Sequence, residues 1–360
     1  MNILIVGLGY SGHRFQRAFE YINESNEYPF KIKMAYVNRK KIKSDILYYS
    51  SVKIALDFFL PNIVIVSVTD GNHAEILSEL EGYDGFVICE KPFISFEDDI
   101  ENIVNKLKNI KGFNLNLIER YSDISQKFKS YIDKNKLMLL RANFHWGKNR
   151  INDRRPTTGV NSEVIHALDL IQWLNPCESD LVINDALGVT SDFSVSGNDV
   201  IDSVMLTGTV GNAIFSGYSS FVNTVRQRTI DMVFKDANNE LVYARMIFDT
   251  PNWDDDELIV WKYHENGITE ELINFSTIID RSKSSLHTIY KLVNFSKDVI
   301  NQSYFNEDSK YCPSDLNKSV DLQVQLNTIL QKIRLTGPVR YLHTEKRIFT
   351  HDESNLESLG

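Results

Sequence analysis

The sequence predicts an α/β Rossmann-type doubly wound parallel sheet, followed by an α+β domain with a large, mostly antiparallel open sheet. Three observations carry this expectation. The first third alternates short apolar runs with helical patterns, an order that makes a parallel sheet covered by helices. A glycine-rich turn directly follows the first apolar run. From about residue 181 to 275, strand-like runs succeed one another without helices between them, which suits an antiparallel sheet with one face covered.

The elements follow in chain order. Residues 2–6 (Asn-Ile-Leu-Ile-Val) read as a strand buried on both faces. A helix from 12 to about 23 places Phe15, Ala18, Phe19 and Ile22 at helical spacing. A second strand at 30–37, a helix at 52–59 and the most apolar strand, 62–68, come next. Then follow a helix at 73–81, a strand at 85–89, a helix at 96–110 and a strand at 113–118. Right-handed crossovers put these helices on both faces of one sheet. Beyond them, 141–146 reads as strand and 163–174 as helix. Further strands are expected at 200–207, 213–221, 229–234 and 241–248, and helical patterns at 284–299 and 315–335. The division expected is a dinucleotide-binding domain at 1–121 and a substrate-binding domain at 122–343, with helix 315–335 free to pack back on the first. A polar tail at 344–360 is expected to fray.

Composition narrows the function. The 360 residues suit two domains, and 42% hydrophobic with 24% charged residues is ordinary for a soluble globular protein. The formal net charge of −9 argues against a nucleic-acid partner, which calls for a basic domain or stripe. Cys89, Cys177 and Cys312 are far apart and form no metal-binding spacing, which fits a reducing compartment and no metal. The first residues lack the basic and apolar segments of an export signal. No apolar stretch approaches the roughly 20 residues needed to span a bilayer. The expectation is a cytoplasmic protein acting on a small molecule.

Gly7-Leu8-Gly9-Tyr10-Ser11-Gly12 is a GxGxxG between a predicted buried strand and an amphipathic helix, the context that makes this motif a dinucleotide site. Gly7 permits the tight turn, Gly9 lets the backbone approach a pyrophosphate, and Gly12 allows close helix–strand packing. The helix N-terminus, with Tyr10 and Ser11, offers N–H groups to the anion. The second strand ends at Val37-Asn38-Arg39. Asn38 brings no carboxylate for a ribose 2′-hydroxyl, and Arg39 suits a 2′-phosphate. This favours NADP, with NAD as the alternative, unless residues 39–41 are only a solvated turn.

Two further segments bear chemistry. Glu90-Lys91-Pro92 directly follows a predicted parallel strand, and the carboxyl ends of such strands face the ligand crevice. Glu163, His166 and Asp169 lie three apart on a predicted helix and so share one side of it. GxGxxG, Glu-Lys-Pro and His-x-x-Asp in this order resemble the glucose–fructose oxidoreductase / inositol dehydrogenase / MocA family. Asp70-Gly-Asn-His73, after Val68-Thr69, matches the family's loop behind the fourth strand, where Thr-Pro is usual. Glu119-Arg120-Tyr121 matches its Arg-aromatic junction, and Leu335-Thr-Gly-Pro-Val-Arg340 its last helix and short strand.

The resemblance implies an NAD(P)-dependent oxidoreductase acting on CH–OH or C=O groups of sugars, cyclitols or activated sugars. Phosphorylated and nucleotide-linked sugars are among the substrates implied. It assigns Lys91 to hold the reacting oxygen and His166 to move its proton, with Glu163 and Asp169 as carboxylates of the catalytic set. An imidazole, with an unperturbed pKa of about 6.5, suits proton transfer near neutrality. Cofactor contacts would come from Gly7, Gly9, Tyr10, Ser11, Gly12, Asn38, Arg39, Val68, Thr69, His73, Glu90 and Lys91. Substrate contacts would come from Arg120 and Tyr121, and a homodimer or homotetramer is implied. The basic run Lys148, Arg150, Arg154, Arg155 precedes the His166 helix; Arg154 and Arg155 suit a phosphate or carboxylate of the substrate, or a solvated loop.

One departure stands out. The family's usual acidic residue, four positions before the histidine, is Ser162 here, and the carboxylate is Glu163. A helix turns about 100° per residue, so the two placements are not equivalent. Reduction of a non-sugar C=O or C=N group stays open as an alternative, as does a non-catalytic cofactor-sensing regulator on the same fold.

Overall fold

The computed structural model describes residues 1–151, 156–177, 179–277, 279, 286 and 288–341. The chain divides into two compact units, one of Met1–Tyr121 with Ile279–Gln323, the other of Ser122–Ile278 with Val324–Gly360.

The first unit is built on a six-stranded parallel sheet. Its strands are β1 (Asn2–Val6), β2 (Lys33–Val37), β3 (Leu47–Tyr49), β4 (Ile63–Val66), β5 (Phe86–Cys89) and β6 (Gly112–Leu115), in the order β3-β2-β1-β4-β5-β6. The central strands have no polar face: β4 and β5 are buried at every position, as expected for a sheet covered on both sides. The chain order reverses between β1 and β4, and in such sheets that is where a crevice opens at the carboxyl ends.

Helix α1 (Tyr10–Ser25) buries Gly12, Phe15, Ala18, Phe19 and Ile22, one stripe of a 3.6-residue period. It ends at Asn26, whose φ of 53° gives the left-handed cap that asparagine tolerates. Burying each phenylalanine contributes about 1.5–3 kcal/mol. Shorter helices α2 (Val52–Phe59), α3 (His73–Glu79) and α4 (Ile100–Lys106) complete the crossovers. Ser51 caps α2 by accepting the N–H of Ile54.

The segment expected to open the end of the second domain instead belongs to this unit. Helix α7 (Tyr290–Ile300) joins the core through Leu292, Val293, Phe295 and Val299, with Phe15 and Phe295 rings 6.4 Å apart. A buried ion pair, Lys291 Nζ to Glu119 Oε2 at 2.6 Å, ties it to the last turn of the dinucleotide fold. Its amphipathic pattern was legible; which surface it covers was not.

The second unit holds a nine-stranded sheet, ordered β14-β13-β12-β11-β7-β10-β9-β8-β15. The strands are β7 (Met138–Asn149), β8 (Leu181–Ser191), β9 (Val200–Val210), β10 (Ala213–Ser220), β11 (Val222–Lys235), β12 (Leu241–Ile247), β13 (Asp256–Tyr263), β14 (Thr269–Thr277) and β15 (Ile333–Val339). All neighbours are antiparallel except β7 with β10 and β8 with β15. Helices α5 (Asp123–Asn135) and α6 (Asn161–Leu174) belong to this unit. α5 was not anticipated; β8 falls in the run of strands expected from about 181, and β15 lies where the short strand near 335–340 was expected, starting at Ile333 inside the helical pattern expected to run to 335. Helix α8 (Leu316–Lys332) contains the division between the units, and the tail 344–360 lies outside the described residues. No helix among the described residues is long and apolar enough to cross a membrane.

Candidate functional site

In the first unit, the loop after β1 has the shape a dinucleotide needs. Gly7 has φ +97°, and a Cβ on it would sit 2.7 Å from the Val68 nitrogen and 2.8 Å from the Ser67 carbonyl oxygen. Only glycine fits there, because L side chains avoid that φ and the β4 loop presses against it. A Cβ on Gly12 would meet the Gly7 carbonyl oxygen at 2.3 Å. A Cβ on Gly9, in contrast, would meet nothing within 4 Å. The two outer glycines are closed by protein and the middle one is open, which is the cradle through which a pyrophosphate approaches backbone. α1 starts here with no side-chain cap and no acidic residue in its first turn, leaving the positive end of its dipole directed at the loop. The residues present therefore fit a dinucleotide.

Neighbouring side chains brace the loop. Asn38 Oδ1 accepts the Leu8 N–H at 2.8 Å, so its amide supports the cradle, while Arg39 is exposed at the same turn. Ser67 donates to the Gly7 carbonyl at 2.9 Å. Ser11 donates to Glu90 Oε1, which also accepts from Asn116 at 2.8 Å. Glu90 thereby links the carboxyl ends of β5 and β6 to the start of α1. Asn116 was missed in the sequence, although its position just after a parallel strand was a usable signal. Tyr10 is exposed, Thr69 exposed and Val68 half-buried, while Lys91 is half-buried beside Glu90.

Three expected contacts are corrected. His73 is fully buried, and its ring nitrogens face the carbonyl oxygens of Pro92 at 2.7 Å and Val68 at 3.2 Å. It pins the β4 and β5 loops together instead of presenting itself to a cofactor. Arg120 is 2% exposed and donates to the Cys312 carbonyl. Tyr121 is likewise 2% exposed, its hydroxyl donating to Asp298 at 3.1 Å. Burial pushes the Tyr121 phenol up, with the Asp298 charge adding to it. The two side chains thus tie this junction to the parts of the chain that carry Cys312 and Asp298. Burial likewise raises the Cys89 thiol, so it stays a packed, inert group.

In the second unit, α6 carries Glu163, His166 and Asp169, all buried. The His166 ring stacks on Trp146 of β7, centroids 5.8 Å apart at 24°. Glu163 does not serve as a lone carboxylate for that imidazole. Its Oε2 accepts from Lys148 and its Oε1 from Arg228, both at 2.9 Å. Arg228 reaches on to Asp249, which in turn accepts the Asp254 N–H and donates its own to Asp256. The Arg228 guanidinium lies between the Trp146 and Trp253 rings, 5.4 and 5.3 Å from their centroids. Strand register brings it there, since Arg228 pairs with Trp146 across β11 and β7. Arg228 and Asp249 carried no sequence signal. Arg154 and Arg155 lie outside the described residues. Among those described, no group of three or more His, Cys, Asp or Glu residues is arranged to hold a metal.

A parallel 3-2-1-4-5-6 sheet with a glycine cradle, joined in one chain to a large open sheet carrying a histidine helix, defines a class. The chain has the two-unit fold of the glucose–fructose oxidoreductase / inositol dehydrogenase / MocA proteins. Solved structures with this fold include a levoglucosan dehydrogenase in complex with NADH and L-sorbose, at TM-score 0.72 and 14% identity over 92% of this chain and 96% of that one. The UDP-N-acetylglucosamine 3-dehydrogenase GnnA from Acidithiobacillus ferrooxidans aligns with TM-score 0.69 and 14% identity, over 92% and 97%. The transcriptional regulator Gal80p from Kluyveromyces lactis aligns with TM-score 0.70 and 12% identity, over 92% and 89%. No protein-family model matches the sequence, and no curated protein matches it.

Proposed function

We propose that the chain is a nicotinamide-dependent oxidoreductase that interconverts a hydroxyl and a carbonyl on a sugar, cyclitol or activated sugar. The observation that carries this reading is the open face of Gly9 between the closed Gly7 and Gly12, at the topological switch point of the sheet. Sugar dehydrogenases share the fold.

Bound in that cradle, a nicotinamide dinucleotide supplies or accepts the hydride. The loop N–H groups and the α1 terminus would hold its pyrophosphate. Lys91, at the carboxyl end of β5, steadies the reacting oxygen and favours its alkoxide form. His166 gives or takes the proton at that oxygen, and the Trp146 face against its ring fixes its plane. Glu163, neutralised by two cations, anchors the strand surface beneath the helix and leaves proton transfer to the imidazole. NADP is the finer proposal, since Asn38 spends its oxygen on Leu8 and Arg39 stands exposed for a 2′-phosphate; NAD is the alternative. A self-association into a homodimer or homotetramer belongs to the same proposal, through the exposed side of the second sheet where Leu187 and Met205 pair.

A titration with NADH and NADPH, followed by a carbonyl and polyol panel, tests the reading. Nucleotide binding with turnover that Lys91→Ala and His166→Gln each abolish is the expected result. Turnover unaffected by either variant would refute it. The regulator fold neighbour and the serine at position 162 favour a second reading, a cofactor sensor. Nucleotide binding without turnover on the whole panel would select that one.

A further inference from the structure

The turn that leaves the second strand of the parallel sheet is built more firmly than a solvated connection requires. β2 ends at Val37 and β3 begins at Leu47, and the two run parallel with Ala35 opposite Leu47. Parallel neighbours are usually joined by about a dozen residues or more, with a helix among them. Here residues 38–46 alone make the return. Tyr36, 1% exposed in β2, spends its hydroxyl on the middle of that turn. It donates to the Ile42 carbonyl at 2.8 Å and accepts the Ile42 N–H at 3.1 Å. Ile42, Ile46 and Tyr48 pack against the apolar core, with the Tyr48 ring 5.4 Å from that of Tyr36. The start of the turn is tied to the glycine cradle. The Gly7 N–H donates to the Val37 carbonyl at 2.9 Å, and the Leu8 N–H to Asn38 at 2.8 Å.

Around the Ile42 pin, Arg39, Lys40, Lys41 and Lys43 are all exposed. Among the described residues, none of these four side chains takes part in an ion pair. Four cations within residues 39–43 run against a chain whose net charge is −9, so the cluster is a local feature. We infer that Tyr36 is a positioning residue for cofactor choice. Through Ile42 it holds the 38–46 turn so that Arg39 and the lysines beside it receive a phosphate monoester on the adenosine ribose. The carboxyl end of β2 is where the adenosine ribose of a bound dinucleotide lies, and a guanidinium matches phosphate geometry. A turn ordered before binding loses less freedom when it meets its ligand. The inference rests on reading the cradle as a dinucleotide site, and it concerns which nucleotide is held, not whether hydride transfer occurs.

Equilibrium binding by calorimetry to the full chain tests it without turnover. The probes are adenosine 2′,5′-bisphosphate and adenosine 5′-monophosphate, which differ only in the 2′-phosphate. The bisphosphate should bind about tenfold tighter or more. Tyr36→Phe should cut that preference by about three- to tenfold and leave affinity for the monophosphate unchanged, whereas a merely structural loss would weaken both probes alike. Arg39→Gln should remove about tenfold of the preference, and Lys108→Gln, exposed elsewhere on the unit, should leave it intact. If Tyr36→Phe does not fold, Ile42→Gly decides, since it takes away the packing that keeps the turn on the core and should cut the preference in the same way. A preference that survives Tyr36→Phe, or Ile42→Gly in its place, overturns the role given to Tyr36. Equal affinity for the two probes overturns the subsite and leaves the oxidoreductase reading standing with NAD. Failure of both probes to bind overturns the dinucleotide reading together with the subsite. A preference for the bisphosphate in a chain without dehydrogenase activity would keep the subsite and remove the oxidoreductase reading.

Discussion

The two units build their sites from different materials. The first uses backbone: a glycine turn, a helix terminus and the carboxyl ends of parallel strands. The second uses side chains, a run of alternating charges from Lys148 through Glu163 and Arg228 to Asp249. A backbone site is written locally, because six consecutive residues, Gly7 to Gly12, specify both the turn and the helix start. A side-chain network is written across the sheet. Glu163 and Arg228 are 65 residues apart and meet only because the strand register sets Arg228 opposite Trp146.

The contrast is best broken by variants that remove one charge from each unit. The largest effect is expected for Lys91→Ala. Loss of a cation at a developing alkoxide should lower kcat by about 10²–10³-fold with the melting temperature nearly unchanged, since Lys91 is half-buried at a loop. Parallel kinetics and thermal melts check both halves, and a large drop in stability would make Lys91 structural. Glu163→Gln should act the other way. Replacing the shared carboxylate by an amide takes one charged partner from Lys148 and from the buried Arg228, which keeps Asp249, at a cost of about 1.5–3 kcal/mol in unfolding free energy. A loss under about 1 kcal/mol in urea titrations would mean that the network does not hold the second unit together.

The smallest effect sharpens the electrostatics of the second sheet. Asp202 is fully buried in β9, at a point where the pairing with β8 shifts register. Burial pushes its carboxyl above the usual range, against the pull of the Ser191 and Ser203 hydroxyls. The unfolded chain releases that proton near about pH 4, whereas the folded chain keeps it to higher pH. Stability is therefore lost as pH rises from the unfolded value to the folded one. Asp202→Asn removes the loss, so the variant should melt roughly 2–4 °C above the parent at neutral pH and show no such gain near pH 3. A gain independent of pH would assign the effect to packing instead of charge.

The same contrast explains what the sequence made legible. The order of the first sheet, the cradle, and the places of Lys91 and His166 on a strand end and a helix all follow from local pattern. Glu163 was visible as a residue but not as a partner of two cations, because neither strand position announces its neighbour. Arg120 and Tyr121 show the opposite failure. Their motif was read as a site, yet their side chains are consumed by Cys312 and Asp298, on a segment whose docking surface no local pattern reveals. His73 likewise was read as a cofactor contact, yet it spends both ring nitrogens on carbonyls.

Gly9→Asp tests the dinucleotide cradle most directly. Gly9 has φ −96° and ψ −151°, open to any residue, a Cβ there meets no protein atom within 4 Å, and aspartate is a favoured helix N-cap. The fold should therefore stand, with an unchanged or slightly raised melting temperature. The new carboxylate would face the pyrophosphate, so NADH and NADPH affinity, read by nucleotide fluorescence, should fall by about 100-fold or more. A folded Gly9→Asp protein that binds either nucleotide as tightly as the parent would contradict the proposed site.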